Sequence, residues 1–192
     1  MKFHSAGKTQ LLFYLIPLFL FVSIAWQPKE KVKMVAHKVA SMLTVKVPED
    51  YQKLNDDQIA DKIIATRKPL LMFSSPSGSA DFSVSLGNSS KNPWADSDLK
   101  LMVDFQKSNI RQLFTSVQFI QDKVVKVHGQ NFAMLEFISE IKEKGKPAIR
   151  KYNHIRYTIK KKNVLIFSFI CPEQERMLYE GTAENIMETI KF

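Results

Sequence analysis

Residues 149–172 read Ile-Arg-Lys-Tyr-Asn-His-Ile-Arg-Tyr-Thr-Ile-Lys-Lys-Lys-Asn-Val-Leu-Ile-Phe-Ser-Phe-Ile-Cys-Pro, and the two halves of this stretch decide the fold. In the first half, Arg150, Tyr152, His154 and Arg156 fall on one side of an extended chain, and Ile149, Ile155, Tyr157 and Ile159 on the other. In the second half, residues 164–171 are apolar at nearly every position. A strand of that kind is covered on both faces, whereas period-two alternation marks a strand with unlike faces. A Lys-Asn turn separates the two, so they form an antiparallel hairpin. Working towards the N-terminus, residues 132–141 and 124–128 supply two further strands, across a basic turn containing Gly145 and Pro147 and a turn at Gly129-Gln130. Four strands in hairpin succession predict a meander.

On the C-terminal side, Pro172 opens a last helix in which Tyr179, Ala183, Ile186, Met187 and Ile190 recur at helical spacing, with Glu180, Glu184 and Glu188 on another stripe. Upstream of the meander, Leu99, Met102, Val103, Gln106, Ile110, Leu113, Phe114 and Val117 predict one long amphipathic helix, with Asp96 and Asp98 at its positive end. Residues 70–74 and 80–86 read as strands flanking a Ser-Pro-Ser-Gly-Ser turn. Asn55 with Gln58 forms a capping arrangement before a short helix that presents Ile59, Ile63 and Ile64. Leu43, Val45 and Val47 make a strand that ends at Pro48. The predicted class is α+β, an antiparallel β-sheet sandwiched between helices as an α/β/α sandwich.

From residue 43 to residue 192 the chain resembles the PsbP-like superfamily, whose fold is shared with Mog-type and DcrB-type proteins. The resemblance is carried by the opening strand ending at Val47-Pro48, Ala-Asp-Phe-Ser-Val at 80–84, Trp94 before the long helix, Asn131-Phe132, Phe-Ser-Phe-Ile-Cys-Pro at 167–172, and Ile190-Lys191-Phe192. It lies in pattern and includes no catalytic signature. It implies a non-enzymatic accessory or binding protein.

Composition agrees with a globular class: 192 residues, 45% hydrophobic, 24% charged, with 28 basic and 19 acidic side chains giving +9. The single Cys171 closes no intramolecular disulfide and begins no Cys-pair zinc or redox motif. At the N-terminus Lys2 and Lys8 precede the apolar run 11–22, and Ser23-Ile24-Ala25 supplies small residues for signal-peptidase cleavage before Trp26. The expected organisation is a signal peptide over 1–25, a Lys-rich linker over 26–42 and one domain over 43–192. Export to the periplasm or the exterior follows. The alternative is an uncleaved anchor over residues 11–26, held at the interface by Trp26, Lys29, Lys31 and Lys33.

The motifs of several chemistries are missing. His4, His37, His128 and His154 share no metal-ligand spacing, there is no glycine-rich nucleotide loop, and Ser74, Ser75, Ser77 and Ser79 form no nucleophile elbow, so no metal and no cofactor are expected. Cys171 reads as packing. Glu136 and Glu140 stand on one face of a strand and define the enzyme alternative, a hydrolase with an acid and a base. The feature above background is basic. Residues 142–162 carry nine Lys or Arg against Glu143, a local +8, while the chain after residue 25 carries 26 basic and 19 acidic side chains, or +7. The remainder is thus near neutral. Lys142, Lys144, Lys146, Arg150, Tyr152, His154, Arg156 and Lys160 are the expected partner-binding residues, for an acidic protein surface or an anionic envelope component rather than nucleic acid. The same residues could instead form a solvated face balanced by Glu136, Glu140 and the acidic last helix. The functional expectation is an exported accessory or protein-binding module without enzymatic activity. Membrane contact is expected only through the N-terminal segment if that segment is uncleaved, and a small-ligand or lipid-binding protein is a further alternative.

Overall fold

A computed structural model describes residues 32–63, 68–87 and 94–192. In chain order the elements are β1 (Met34–Val39), β2 (Leu43–Pro48), β3 (Gln52–Lys53), α1 (Asp56–Lys62), β4 (Leu71–Ser74), β5 (Asp81–Leu86), α2 (Leu99–Leu113), β6 (Ser116–Val127), β7 (Gln130–Ile141), β8 (Ile149–Lys160), β9 (Asn163–Pro172) and α3 (Arg176–Glu188). Strands β3 to β9 form one seven-stranded antiparallel sheet in the order β3-β4-β5-β9-β8-β7-β6, and β1 with β2 forms a separate two-stranded ribbon. Strand β9 lies between β5 and β8, which is why its sequence is apolar on both sides.

Alternation along the strands builds two cores. Leu165, Phe167, Phe169 and Cys171 of β9, with Phe132 and Tyr152 of the meander, pack against β2 and against Ala183, Ile186 and Met187 of α3. On the other face Ala133, Leu135, Phe137, Tyr157, Ile159 and Val164 meet Leu99, Met102, Val103 and Ile110 of α2. Burial of each such aliphatic or aromatic side chain contributes roughly 1.5–3 kcal/mol. The helices therefore sit on opposite faces, and the architecture is the expected sandwich. Helix α1 carries the expected capping box: the Asn55 side chain accepts from the Gln58 amide at 2.9 Å, and the Gln58 side chain accepts from the Asn55 amide at 3.0 Å. Ile64 lies outside the described residues.

Three sequence expectations are corrected. Residues 34–39, expected within a linker, form β1, because Met34 to Val39 find antiparallel partners from Pro48 to Leu43 and the His37 ring packs tilted against Phe73 with centroids 4.5 Å apart. The long helix ends at Leu113 rather than Val117. Phe114 takes an extended conformation (φ −119°, ψ 152°), and the Thr115 amide donates to the Glu140 carbonyl at 2.9 Å. Finally, the short strand expected over 124–128 is the end of the 12-residue β6, which begins at Ser116 and pairs along the whole of β7. The expected signal segment 1–25, and residues 26–31 of the expected linker, lie outside the described residues.

In the middle of α3, Gly181 is exposed, and a Cβ added there meets nothing within 4 Å. Gly181→Ala should raise unfolding stability by about 1 kcal/mol, since Gly loses more backbone freedom on entering a helix. Urea unfolding gives the measurement; an unchanged or lower midpoint would show that α3 frays before global unfolding.

Candidate functional site

The geometry of β8 divides the basic hairpin into three parts with different fates. A 12-residue strand is roughly 36 Å from end to end. Lys142, Lys144, Lys146, Arg150 and Lys151 gather at one end of it, and Lys160, Lys161 and Lys162 lie at the other. The residues between them are covered.

Tyr152, His154 and Arg156 do share a face, but α3 lies over that face, leaving His154 2% and Arg156 1% exposed. The expected basic-aromatic surface is corrected at these three positions: they are interior groups and are absent from the accessible contact surface. Their chemistry is an internal network. One Arg156 amino nitrogen donates to both oxygens of Glu184 at 2.9 Å, and the other donates to Glu188 at 2.8 Å. Glu184 and Glu188 of the acidic stripe of α3 thus lean back over β8, an interior strand of the sheet. Arg156 Nε lies 3.4 Å from His154 Nε2 and donates to it, so Nε2 carries no proton. Burial, with the positive charges of Arg156 and Lys123, pushes the His154 pKa down to about 3. The Tyr152 hydroxyl donates to Glu136 at 3.0 Å, and Arg176 reaches Glu136 at 3.8 Å while bonding Glu180 at 2.9 Å. Burial and the Glu136 charge raise the Tyr152 pKa, which keeps the phenol neutral.

The exposed part is the β7–β8 tip, where every residue from Ile141 to Lys151 faces solvent. Lys146 pairs with Glu143 at 2.5 Å, and Arg150 lies 3.5 Å from Glu140 and 3.0 Å from Glu173. Among the described residues Lys142, Lys144 and Lys151 have no carboxylate partner. Ile141 and Ile149 face each other across the base of the tip and are both exposed. Two element ends reach the same end of the sheet, on its opposite faces. The Lys142 amide donates to Thr115 Oγ1 at 3.1 Å, which brings the C-terminus of α2 and its exposed Leu113 to the tip. Lys151 pairs with Pro172, so the start of α3, with exposed Met177 and Leu178, follows directly. These apolar residues were not among the sequence-derived candidates. A signal existed for two of them, since Met177 and Leu178 fall off the inward stripe of Tyr179, Ala183 and Ile186.

At the far end Lys160 Nζ stands 4.9 Å from the Phe192 ring centroid. Phe192 borders two shallow hollows. One, of about 290 Å³, is lined by Lys38, Met42, Leu43, Thr44 and Lys191 among others; the second, of about 240 Å³, is lined by His128, Gln130 and Lys160 among others. Lys161 and Lys162 form a two-residue turn with both φ values positive, 48° and 66°.

The remaining candidates are each accounted for by contacts. Glu136 is buried against Tyr152, and Glu140 is held by Arg150, so the two carboxylates are engaged separately. Cys171 is buried, and burial with the Glu175 charge pushes its thiol up to about 12, where almost no thiolate forms at neutral pH. Ser75, Ser77 and Ser79 bond one another at 3.0 and 2.8 Å. Ser77 also meets Tyr179 at 3.0 Å, and Ser79 donates to Glu175 at 2.6 Å. These hydroxyls tie the β4–β5 turn to α3. Among the described residues no group of three His, Cys, Asp or Glu side chains is placed to hold a metal ion.

These features define an α+β antiparallel sandwich with one basic, partly apolar end. No family model and no curated protein sequence matches the chain. Solved structures do. The cyanobacterial PsbP of Synechocystis superposes with a TM-score of 0.56 at 8% identity, covering 87% of this chain and 96% of its own. The Saccharomyces cerevisiae Ran-binding protein Mog1p gives 0.55 at 12%, covering 84% and 96%. LpqN of Mycobacterium tuberculosis, described as involved in cell envelope biogenesis, gives 0.51 at 12%, covering 83% and 90%. The chain has the PsbP-like fold.

Proposed function

We propose that this protein is an exported, non-enzymatic interaction module of the cell envelope that contacts an anionic partner through the β7–β8 tip. The observation that carries the reading is the tip itself: Lys142, Lys144 and Lys151 are exposed with no carboxylate partner among the described residues, in a hairpin, residues 142–162, outside which the chain is near neutral. The N-terminal sequence supports export, and among proteins of this fold LpqN is described through envelope biogenesis and Mog1p through binding a protein. A hydrolase is poorly supported, because Glu136 and Glu140 are each engaged by their own neighbours. Among the described residues the small-ligand alternative has two shallow hollows beside Phe192, both below the ~300 Å³ at which drug-sized sites begin.

The triple variant Lys142→Glu, Lys144→Glu, Lys151→Glu should lose most cross-linked partner from envelope fractions while unfolding within about 0.5 kcal/mol of the parent per substitution. Capture by the unaltered protein should fall as salt rises, since the Debye length is only ~8 Å at physiological ionic strength. Undiminished, salt-independent capture by the folded triple variant would return the tip to a solvated face.

A further inference from the structure

We propose that the partner of this end of the molecule is an anionic lipid bilayer, met end-on by the sheet, with lysines among the headgroups and aliphatic side chains at the acyl boundary. This rests on the reading that the tip is the contact surface and names what it contacts. The observation is a concentration of exposed apolar side chains. Met177 is 79% exposed, Leu113 73%, Leu178 69%, Ile149 56% and Ile141 41%. All five belong to the ends of β7, β8, α2 and α3 that the contacts around Thr115, Arg150 and Pro172 place at one end of the sheet, with α2 and α3 on its opposite faces. Folding leaves them in water, and none completes either core.

Their chemical type separates a bilayer from a protein partner. Protein interfaces favour Tyr, Trp, Met and Arg in packed pockets and are depleted in Lys, so of the five only Met177 is of an enriched type. The surface here has Leu, Ile and Met on separate element ends, with lysine as its unpaired cation. A bilayer asks only for depth and opposite charge. Aliphatic side chains enter the acyl boundary, while lysine stems lie along them and keep the ammonium among phosphates. The local acids leave the tip positive: Glu143 is paired with Lys146, Glu140 and Glu173 share Arg150, and the one carboxylate charge left over is outweighed by Lys142, Lys144 and Lys151.

The test uses the full chain, in which the N-terminal segment is free to bind membranes by itself, so the readout must be local. Cys171, the one cysteine, is buried, and single probe sites are made as Ile149→Cys, Leu178→Cys and, as a control, Leu101→Cys. Leu101 is also exposed but lies 12 residues, about 18 Å, up α2 from Leu113. Each is labelled with an environment-sensitive fluorophore and mixed with phosphatidylcholine vesicles or with vesicles that include phosphatidylglycerol. Expected are a blue shift and quenching by brominated acyl chains at 149 and 178 but not at 101. Binding through these probes should be at least tenfold tighter on the anionic vesicles, and Lys142→Glu, Lys144→Glu, Lys151→Glu should abolish that preference. Shifts of equal size at all three sites, or equal response to neutral vesicles, would overturn the proposal. Silent tip probes combined with charge-dependent capture of a protein would overturn the bilayer and leave the tip as a contact surface; loss of both would remove the two readings together.

Discussion

Arg156→Ala should cost the fold about 3 kcal/mol, whereas Lys144→Glu in the same hairpin should cost almost nothing. Removing one partner of a buried ion pair typically destabilises by 3–5 kcal/mol, because the remaining charge loses its compensation and the cavity stays. Here the lower end applies, since Glu184 and Glu188 are about half exposed and keep part of their hydration. The guanidinium is itself almost wholly buried and holds α3 to β8 through three short bonds. Loss of those bonds also leaves His154 Nε2 without its donor. Chemical unfolding of Arg156→Ala and of the combined Arg156→Met, Glu184→Gln, Glu188→Gln variant measures this. The combined variant should recover much of the loss, as an apolar side chain of similar length fills the space without an unpaired charge. A cost under 1 kcal/mol for Arg156→Ala would mean that solvent screens the network and that α3 is held by its apolar stripe alone.

Acid should weaken the fold through His154 before carboxylate protonation becomes general. The folded pKa of about 3 lies below the unfolded value of 6.5, so between these limits the unfolded chain binds a proton that the folded chain excludes. Stability is therefore fully present above pH 6.5 and declines as pH falls towards 3. Over that range the loss is roughly 4 kcal/mol, and local relaxation that admits water reduces it. Glu184 lies 3.7 Å from the ring and would favour protonation, but Arg156 already draws on its charge. Unfolding free energies at pH 7, 5 and 4 for the parent and for His154→Gln give the comparison. The glutamine variant should be less stable at pH 7 and should show a shallower slope with pH, because the carboxylates common to both chains cancel in the difference. Parallel slopes would place the imidazole in contact with water in the folded state.

How much of this could be read from residues alone varies by feature. Side-chain alternation is a local property of an extended chain, so the common face of Tyr152, His154 and Arg156, and the two apolar faces of β9, were legible from spacing. The cap at Asn55 was legible for the same reason, since its bonds close within three residues. The end of α2 was not. Val117 continues the helical spacing of Ile110, Leu113 and Phe114 and also shares a period of two with Phe119, and what resolved it was a strand partner across the β6–β7 hairpin. Strand β1 was hidden because His37 and Lys38 look polar until Phe73 and the β2 partners are in place.

The sequence by itself determined the sandwich order, the central place of β9 and the concentration of positive charge between residues 142 and 162. Only the tertiary structure decided what that charge does. Strand length carried three lysines to the far end, and α3 closed over Arg156 and His154 from about 30 positions away in the chain. It also left Leu113, Ile149, Met177 and Leu178 exposed together at the remaining tip. Charge and periodicity are written residue by residue, but whether a face meets water or another element depends on contacts between distant segments, and those exist only once the chain has folded.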